Sequence, residues 1–234
     1  FENVPVMAAS ALAVTVPVYP PARALEVAQD RVVEKKFLNG IGIPTADFCP
    51  VDNDDELTAA LKKFDGSGIL KTRRMDGSLA AYDPAENVHR SGILHSSTLP
   101  ARIGSETAAA AQAAAAEILA ALDYVGVIGI EFFVLADGAL LANEIAPRVH
   151  NSGHWTEAAC IVSQFEQHIR AVAGLPLGNP GRHFDCVMEN LIGDDMLRVP
   201  ALLAEPDLML HLYGKAEARP GRKMGHFTRM SRYR

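Results

Sequence analysis

Two glutamates, Glu131 and Glu144, flank a stretch that predicts a tight β-hairpin. The dipeptide Asp137-Gly138 lies between two apolar runs, which is a strong hairpin signal. Counting outward from a two-residue loop places the two glutamates directly opposite each other, where like charges are destabilising. Because oxygen ligands suit Mg²⁺ or Mn²⁺, the pattern predicts a divalent-metal site. Two alternatives stay open: a one-residue change of register, or neutralisation by an Arg or Lys from elsewhere.

A loop rich in polar side chains, 146–155, follows the second glutamate. It contains Arg148, His150, Asn151 and Ser152 within five positions. Cationic and amide donors of this kind can hold a small oxyanion. Burying so many polar groups without a ligand is costly, so the loop predicts an anion site beside the metal. The alternative is a hydrogen-bonded structural loop.

Two further cationic segments are candidates for phosphate binding. Lys71 ends a short predicted buried strand, 68–71, from which an ammonium group can reach a nucleotide phosphate; the alternative is a solvated strand end. The segment 211–234 has seven Lys or Arg and one acid. Within it, the runs 213–215 (YGK) and 219–223 (RPGRK) could clamp a phosphate monoester. A solvated charge run or a short nucleic-acid patch is the alternative there.

The composition restricts the class of protein. The chain has 234 residues, 49% of them apolar, which excludes a disordered chain. With 22 basic and 28 acidic residues, the net charge of −6 argues against nucleic-acid and membrane-surface binding. The three Cys are too far apart for a disulfide framework or a zinc site, which indicates a reducing cytoplasm. No apolar run reaches the length of a membrane span.

The pattern of apolar residues predicts alternating helices and strands. We expect helices at 21–39, 54–64, 105–122 (with Ser105 as N-cap) and 156–173, and strands at 68–71, 125–135 and 139–145. Such an arrangement with an antiparallel hairpin predicts an α+β or mixed α/β fold.

Five runs of sequence are specific enough to indicate a family. They are 24–31 (ALEVAQDR), 69–74 (ILKTRR), 143–155 (NEIAPRVHNSGHW), 163–170 (SQFEQHIR) and 219–226 (RPGRKMGH). Over nearly the whole chain the sequence resembles the ATP-dependent 5-(carboxyamino)imidazole ribonucleotide synthases, ATP-grasp ligases of purine biosynthesis. The resemblance implies an ATP-grasp fold, and carboxylation of aminoimidazole ribonucleotide with ATP and bicarbonate through carboxyphosphate. It also implies a cytoplasmic homodimer with no nucleic-acid or membrane partner.

The resemblance assigns roles to individual residues. The implied ATP contacts are Arg31, Lys71, Asn143 and Glu144, and the implied magnesium ligands are Glu131 and Glu144, with manganese as the alternative ion. The implied pocket for bicarbonate and carboxyphosphate consists of Arg148, His150, Asn151 and Ser152. The implied ribonucleotide contacts are Lys215, Arg222 and Glu2.

The sequence departs from the family pattern in three places. The family has a mononucleotide-binding domain before Phe1, a phosphate loop and lid between Arg74 and Gly77, and a longer C-terminal helical segment. We therefore expect that further residues belong to the gene product at these points. The resulting division is a domain remnant at 1–20, the start of the ATP-grasp region at 21–75, its catalytic core at 76–210 and a substrate-phosphate segment at 211–234.

Two other functions remain compatible with these patterns. One is another ATP-grasp ligase, such as a formate-using ribonucleotide transformylase. The other is a non-catalytic nucleotide- or anion-binding module, which the missing lid would favour.

Overall fold

The computed structural model describes residues 4–46, 68–75 and 78–232. Glu2 and the helix predicted at 54–64 lie outside these residues. The helices are α1 Val6–Ala13, α2 Ala22–Gln29, α3 Arg31–Gly40, α4 Ser105–Ala121, α5 Thr156–Ala159, α6 Gln164–Val172 and α7 Val199–Leu202. Two 3₁₀ helices span Asn151–Gly153 and Gly193–Arg198. None of the helices described is long and apolar enough to cross a bilayer.

Nine strands form one sheet. They are β1 Gly68–Met75, β2 Ser78–Ala81, β3 Ala85–Arg90, β4 Ile93–Leu99, β5 Gly126–Val134, β6 Leu140–Ala146, β7 Phe184–Ile192, β8 Leu208–Leu212 and β9 Lys223–Arg232. The strand order is β6-β5-β1-β3-β4-β7-β9-β8, and β2 pairs with β1. The predicted combination of helices with an antiparallel hairpin is confirmed.

The helix predicted at 21–39 is two helices, so that prediction was wrong at Asp30. The backbone of Asp30 is extended, with φ −121° and ψ 118°, which ends α2. Its side chain then caps α3 by accepting hydrogen bonds from the N–H groups of Val32 and Val33. An Asp at this position is a strong N-cap, which outweighs the continuous apolar periodicity.

Two other helix predictions also need correction at their ends. The N-cap of α4 is Gly104, and Ser105 is already helical. The helix predicted at 156–173 is interrupted after Ala159, and α6 starts again with Ser163 as its cap, accepting from Glu166 N.

The principal core lies between α4 and the β5–β6 hairpin. Ala115, Ile118 and Leu119 of α4 are fully buried in one cluster with Ile128 and Ile130 of β5. Removing this much apolar surface from water fixes the helix against the hairpin. The hairpin is thereby a rigid support for the residues at its open end.

The turn of the β5–β6 hairpin contains three residues, where the sequence predicted two. Leu135 N donates to Ala139 O at 2.8 Å, and Gly138 N donates to Leu135 O at 2.9 Å. Gly138 has φ +85°, the left-handed conformation typical of three-residue hairpin loops. The additional residue moves the pairing by one, so Val134 pairs with Leu140 and the predicted register is wrong near the turn.

A β-bulge restores the predicted register farther from the turn. Phe132 pairs with Ala142, and the next pair is Glu131 with Glu144, so Asn143 is the extra residue on β6. Bulges of this kind re-aim side chains next to active sites. The two glutamates are therefore opposite each other, as predicted, although by a different route.

The basic segment 211–234 is not a solvated tail. Its β9 strand is paired with β7 on one side and β8 on the other. His226, Phe227 and Thr228 in the middle of β9 are at most 2% exposed. The cationic residues between Lys215 and Arg232 thus belong to the sheet and to the loop that precedes β9.

We expect Gly138→Ala to lower the free energy of unfolding by about 1 kcal/mol, because an L-residue in the left-handed conformation is strained. A Cβ at this position would also lie 3.0 Å from Thr107 Oγ1. Gly40→Ala is the matched control, since Gly40 ends α3 with open space around it. Urea denaturation of both variants measures the effect, and equal stabilities would contradict the assigned turn.

Candidate active site

The acidic pair of β5 and β6 is held by one hydrogen-bond partner on each side. Asn143 Nδ2 donates to Glu131 Oε2 at 3.0 Å. Arg31 Nη2 donates to Glu144 Oε2 at 2.8 Å. The two glutamates thus face each other, as the sequence predicted. The alternative of neutralisation by an arginine from elsewhere also applies, but to only one of the two carboxylates.

Arg31 is itself held by a buried glutamate that sequence reasoning missed. Glu34 is fully buried; it accepts from Arg31 Nη1 at 3.1 Å and from Ile145 N at 3.0 Å. Burial raises the pKa of Glu34, and the two hydrogen bonds oppose that shift. Glu34 thereby ties α3 to β6 one residue beyond Glu144. The sequence feature that could have identified Glu34 is its position, an acid one helical turn after the Asp30 N-cap.

The electrostatics of the pair fit a divalent cation. Burial, reinforced by the charge of Glu144, raises the pKa of Glu131 to about 7. A carboxylate that is 7% exposed and faces another acid keeps its proton near neutral pH unless a cation is supplied. Two carboxylates on adjacent strands are the oxygen donors that Mg²⁺ prefers. The residues present therefore fit the ion that the sequence predicted.

The polar loop after β6 is organised around His150. Gln164, fully buried on α6, accepts from His150 N through Oε1 and donates to His150 O through Nε2, both at 2.9 Å. The imidazole Nδ1 lies 2.9 Å from Ser152 Oγ. A Cβ on Gly129 would lie 2.8 Å from His150 Cβ, so glycine allows this close approach.

The same loop presents a free donor. The Nδ2 atom of Asn151 is buried and has no hydrogen-bond partner among the described residues. A buried amide without a partner is costly, and an oxyanion ligand would satisfy it. Arg148, three residues earlier, donates from Nη1 to Val149 O at 3.0 Å. These features support the predicted anion site.

The phosphate-binding candidates of the 211–234 segment differ in position. Lys215 lines the cleft and donates to Lys223 O at 2.6 Å. Lys223 also lines the cleft; burial, then Arg148 and Lys215, lower its pKa. Sequence reasoning included Lys223 in the run 219–223 but assigned it no individual role. Arg222 donates from Nη1 to Glu217 O at 3.2 Å and is not among the described residues that line the cleft.

One open cleft of about 1580 Å³ brings half of the twelve candidates together, and Arg148 and Ser152 are not among the described residues that line it. The predicted site residues along it are Glu131, Asn143, Glu144, His150, Asn151 and Lys215. Arg31 lines a smaller adjoining cavity of about 250 Å³ that it shares with Glu144. The backbone of Lys71 pairs with that of Gly129 in the β1–β5 ladder.

Facing carboxylates on an antiparallel hairpin, with a donor loop directly after them, define the site of an ATP-grasp protein. The ATP-grasp domain family matches residues 68–165, and the phosphoribosylaminoimidazole carboxylase C-terminal domain family matches residues 186–233.

The chain belongs to the N5-carboxyaminoimidazole ribonucleotide synthase family. It is 54% identical to the N5-carboxyaminoimidazole ribonucleotide synthase of Brucella melitensis, across 98% of this chain and 77% of the relative. The crystal structure of the synthetase from Thermus thermophilus superposes with a TM-score of 0.88 at 41% identity, over 99% of this chain and 75% of that one. The Aspergillus clavatus synthase, in complex with ADP and 5-aminoimidazole ribonucleotide, has a TM-score of 0.89 at 28% identity, over 99% and 76%. The family expected from the sequence is confirmed.

We expect the metal-free protein to lose stability relative to Glu131→Gln as the pH rises. The pKa of Glu131 is about 7 in the fold against about 4.5 ordinarily, so the folded state binds the proton more tightly. The resulting stabilisation is complete below pH 4.5 and is lost as the pH rises through 7, a change of at most about 3 kcal/mol. Urea denaturation of both proteins between about pH 5 and 8 measures it. Parallel pH profiles would contradict the assignment.

Proposed function

We propose that this chain carries the synthase activity of its family, the ATP-dependent carboxylation of 5-aminoimidazole ribonucleotide. The products are N5-carboxyaminoimidazole ribonucleotide, ADP and phosphate. The observation that carries the proposal is the cleft in which paired carboxylates, an unpartnered amide donor and two lysines converge. The Aspergillus clavatus relative, which holds ADP and 5-aminoimidazole ribonucleotide, supports the two substrates.

Glu131 and Glu144 are the proposed ligands of Mg²⁺, with Mn²⁺ as the alternative ion. Bound there, the ion supplies positive charge to the ATP phosphates during phosphoryl transfer. Arg31 and Lys71 are the proposed cationic contacts of the nucleotide, and Asn143 orients Glu131 through its hydrogen bond.

The loop after β6 is the proposed pocket for bicarbonate and carboxyphosphate, formed by Arg148, His150, Asn151 and Ser152. An oxygen of bicarbonate attacks the γ-phosphorus of ATP, and the bond from that phosphorus to the bridging oxygen of ADP breaks. Arg148 and the Asn151 amide hold the anion, while His150 and Ser152 keep their mutual hydrogen bond as its inner wall. Orienting the two reactants in this way removes much of the entropic barrier.

Lys215 and Lys223 are the proposed contacts of the ribonucleotide phosphate, with Arg222 and Glu2 retained as further candidates. Carboxyphosphate breaks down to carbon dioxide and phosphate. The amine of the substrate then attacks the carbon dioxide and loses one proton, giving the carbamate product. Because the lysines and the Asn151 amide line one cleft, the amine and the anhydride are held close together.

Three further features belong to the proposal. The protein acts as a homodimer in the cytoplasm, consistent with free thiols at Cys160 and Cys186. The four segments 1–20, 21–75, 76–210 and 211–234 are functional parts of one enzyme. The carboxyl donor is bicarbonate; dependence of ADP release on formate instead would indicate a transformylase.

We expect Glu144→Ala to reduce ATP turnover at least about 1,000-fold, because it removes one of two proposed metal ligands and one of the two carboxylate partners of Arg31. Magnesium-dependent ADP release by the full gene product measures the rate. Glu117→Ala, on the exposed face of α4, is the control and should keep full activity. A near-normal rate for Glu144→Ala would overturn the metal assignment.

We expect Lys215→Ala to weaken binding of the ribonucleotide at least about tenfold while nucleotide affinity changes less than about twofold. The reason is the loss of one charge-assisted contact to a phosphate. Calorimetric titration with each ligand separates the two effects. Lys36→Ala, at an exposed position of α3, is the control. Unchanged ribonucleotide affinity would remove Lys215 from the site.

A further inference from the structure

A cluster of five polar side chains lies behind the loop that carries Lys215. We name it the imidazole cluster; its members are His154, Glu157, His211, Tyr213 and His226. Glu157 lies at its centre, with carboxylate oxygens 3.6 Å from His154 Nδ1, 3.7 Å from His211 Nε2 and 3.5 Å from His226 Nε2. The cluster joins the polar loop to β8 and β9.

The imidazole cluster does not have the geometry of a metal site. Ligand atoms of His154, Glu157 and His226 lie within 4.8 Å of one another, which is close enough for one ion. However, the rings of His154 and His226 are stacked, with centroids 4.3 Å apart and planes only 6° from parallel. A histidine binds a metal along a lone pair in its ring plane. Two parallel stacked rings cannot both aim such a lone pair at one ion, so the contacts are hydrogen bonds and ion pairs.

The hydroxyl group of Tyr213 is anchored in the imidazole cluster. It lies 2.8 Å from His226 Nδ1. Burial, then the charge of Glu157, raises the pKa of Tyr213 to about 12, so the phenol keeps its proton. The Nε2 atom of His226 lies 3.5 Å from a Glu157 carboxylate oxygen and 3.1 Å from His211 Nδ1. The ring of Tyr213 is thus fixed through its hydroxyl by contacts that lead to the half-buried carboxylate of Glu157.

The front of the same ring faces Lys215. The ammonium of Lys215 lies 5.4 Å from the centroid of the Tyr213 ring, within cation–π range, and donates to Lys223 O. Lys215 is exposed, and a lysine side chain left free in water samples many rotamers. We propose that Tyr213 is a positioning residue for the ribonucleotide: anchored by His226, its ring and the Lys223 carbonyl hold Lys215 in the cleft. The inference rests on the proposed role of Lys215.

A double-mutant cycle tests the proposal. We expect Tyr213→Leu to raise the KM for the ribonucleotide about tenfold, with kcat and the KM for ATP within about twofold of wild type. Tyr213→Phe keeps the ring face and loses the anchor, so a rise of about threefold is expected. In the Lys215→Ala background, Tyr213→Leu should add less than about twofold, because residues acting through one another are not additive.

Several outcomes would overturn the inference. Equal effects of Tyr213→Leu in both backgrounds, or equal rises in the KM values of ATP and the ribonucleotide, would indicate a general structural role. Stoichiometric transition metal in the purified wild type, lost in His226→Asn, would replace the hydrogen-bonded cluster by a metal site. Wild-type turnover with the ribonucleotide is measured first; its absence would refute the proposed function, whereas normal turnover with an unaffected Tyr213→Leu refutes only the positioning role.

Discussion

Two like charges opposite each other on one antiparallel pair are the constraint around which the site is arranged. Such a pair is unfavourable in an otherwise apolar hairpin, and burial of Glu131 makes it more so. The neighbouring groups each reduce that cost without removing it: Asn143 donates to Glu131, and Arg31 binds Glu144. Glu34 in turn keeps Arg31 in place from the fully buried side of α3. The residual charge is what favours a bound cation.

The sequence was sufficient to predict which two acids are paired across the hairpin. It was sufficient only because two deviations from the predicted pairing register, one in the loop and one at the bulge, cancel each other. The Asp137-Gly138 signal located the turn correctly. It could not reveal that the loop has three residues, because Asp-Gly is compatible with both two- and three-residue loops. The resulting shift would separate the glutamates if the bulge at Asn143 did not compensate for it. No residue type in the sequence indicates a β-bulge, so the exact pairing of β5 with β6 can be determined only from the structure.

Local signals and long-range pairings differ in how far they could be predicted. The breaks at Asp30 and Ser163 were available from the sequence, since both are strong N-cap residues. The pairing of β7 with β9 and the bracketing of His150 by Gln164 were not, because they join residues that only the sheet and the packing of α6 bring together. For the same reason the basic run that contains Lys223 gives no indication that this lysine shares a cleft with Glu131 and that its charge acts on this glutamate.

The site is divided between the two family-matched parts of the chain, and the sheet joins them. The acidic pair and the donor loop lie in the part at 68–165, and the two lysines lie in the part at 186–233. Four residue pairs between β4 and β7, from Ser96–Glu189 to Leu99–Cys186, connect these parts in one continuous sheet. In the proposed reaction, a short-lived anhydride made at one part must meet the amine held at the other before water reaches it. A single hydrogen-bonded sheet fixes that distance more firmly than a flexible linker would, and the imidazole cluster adds a second connection between the donor loop and β9.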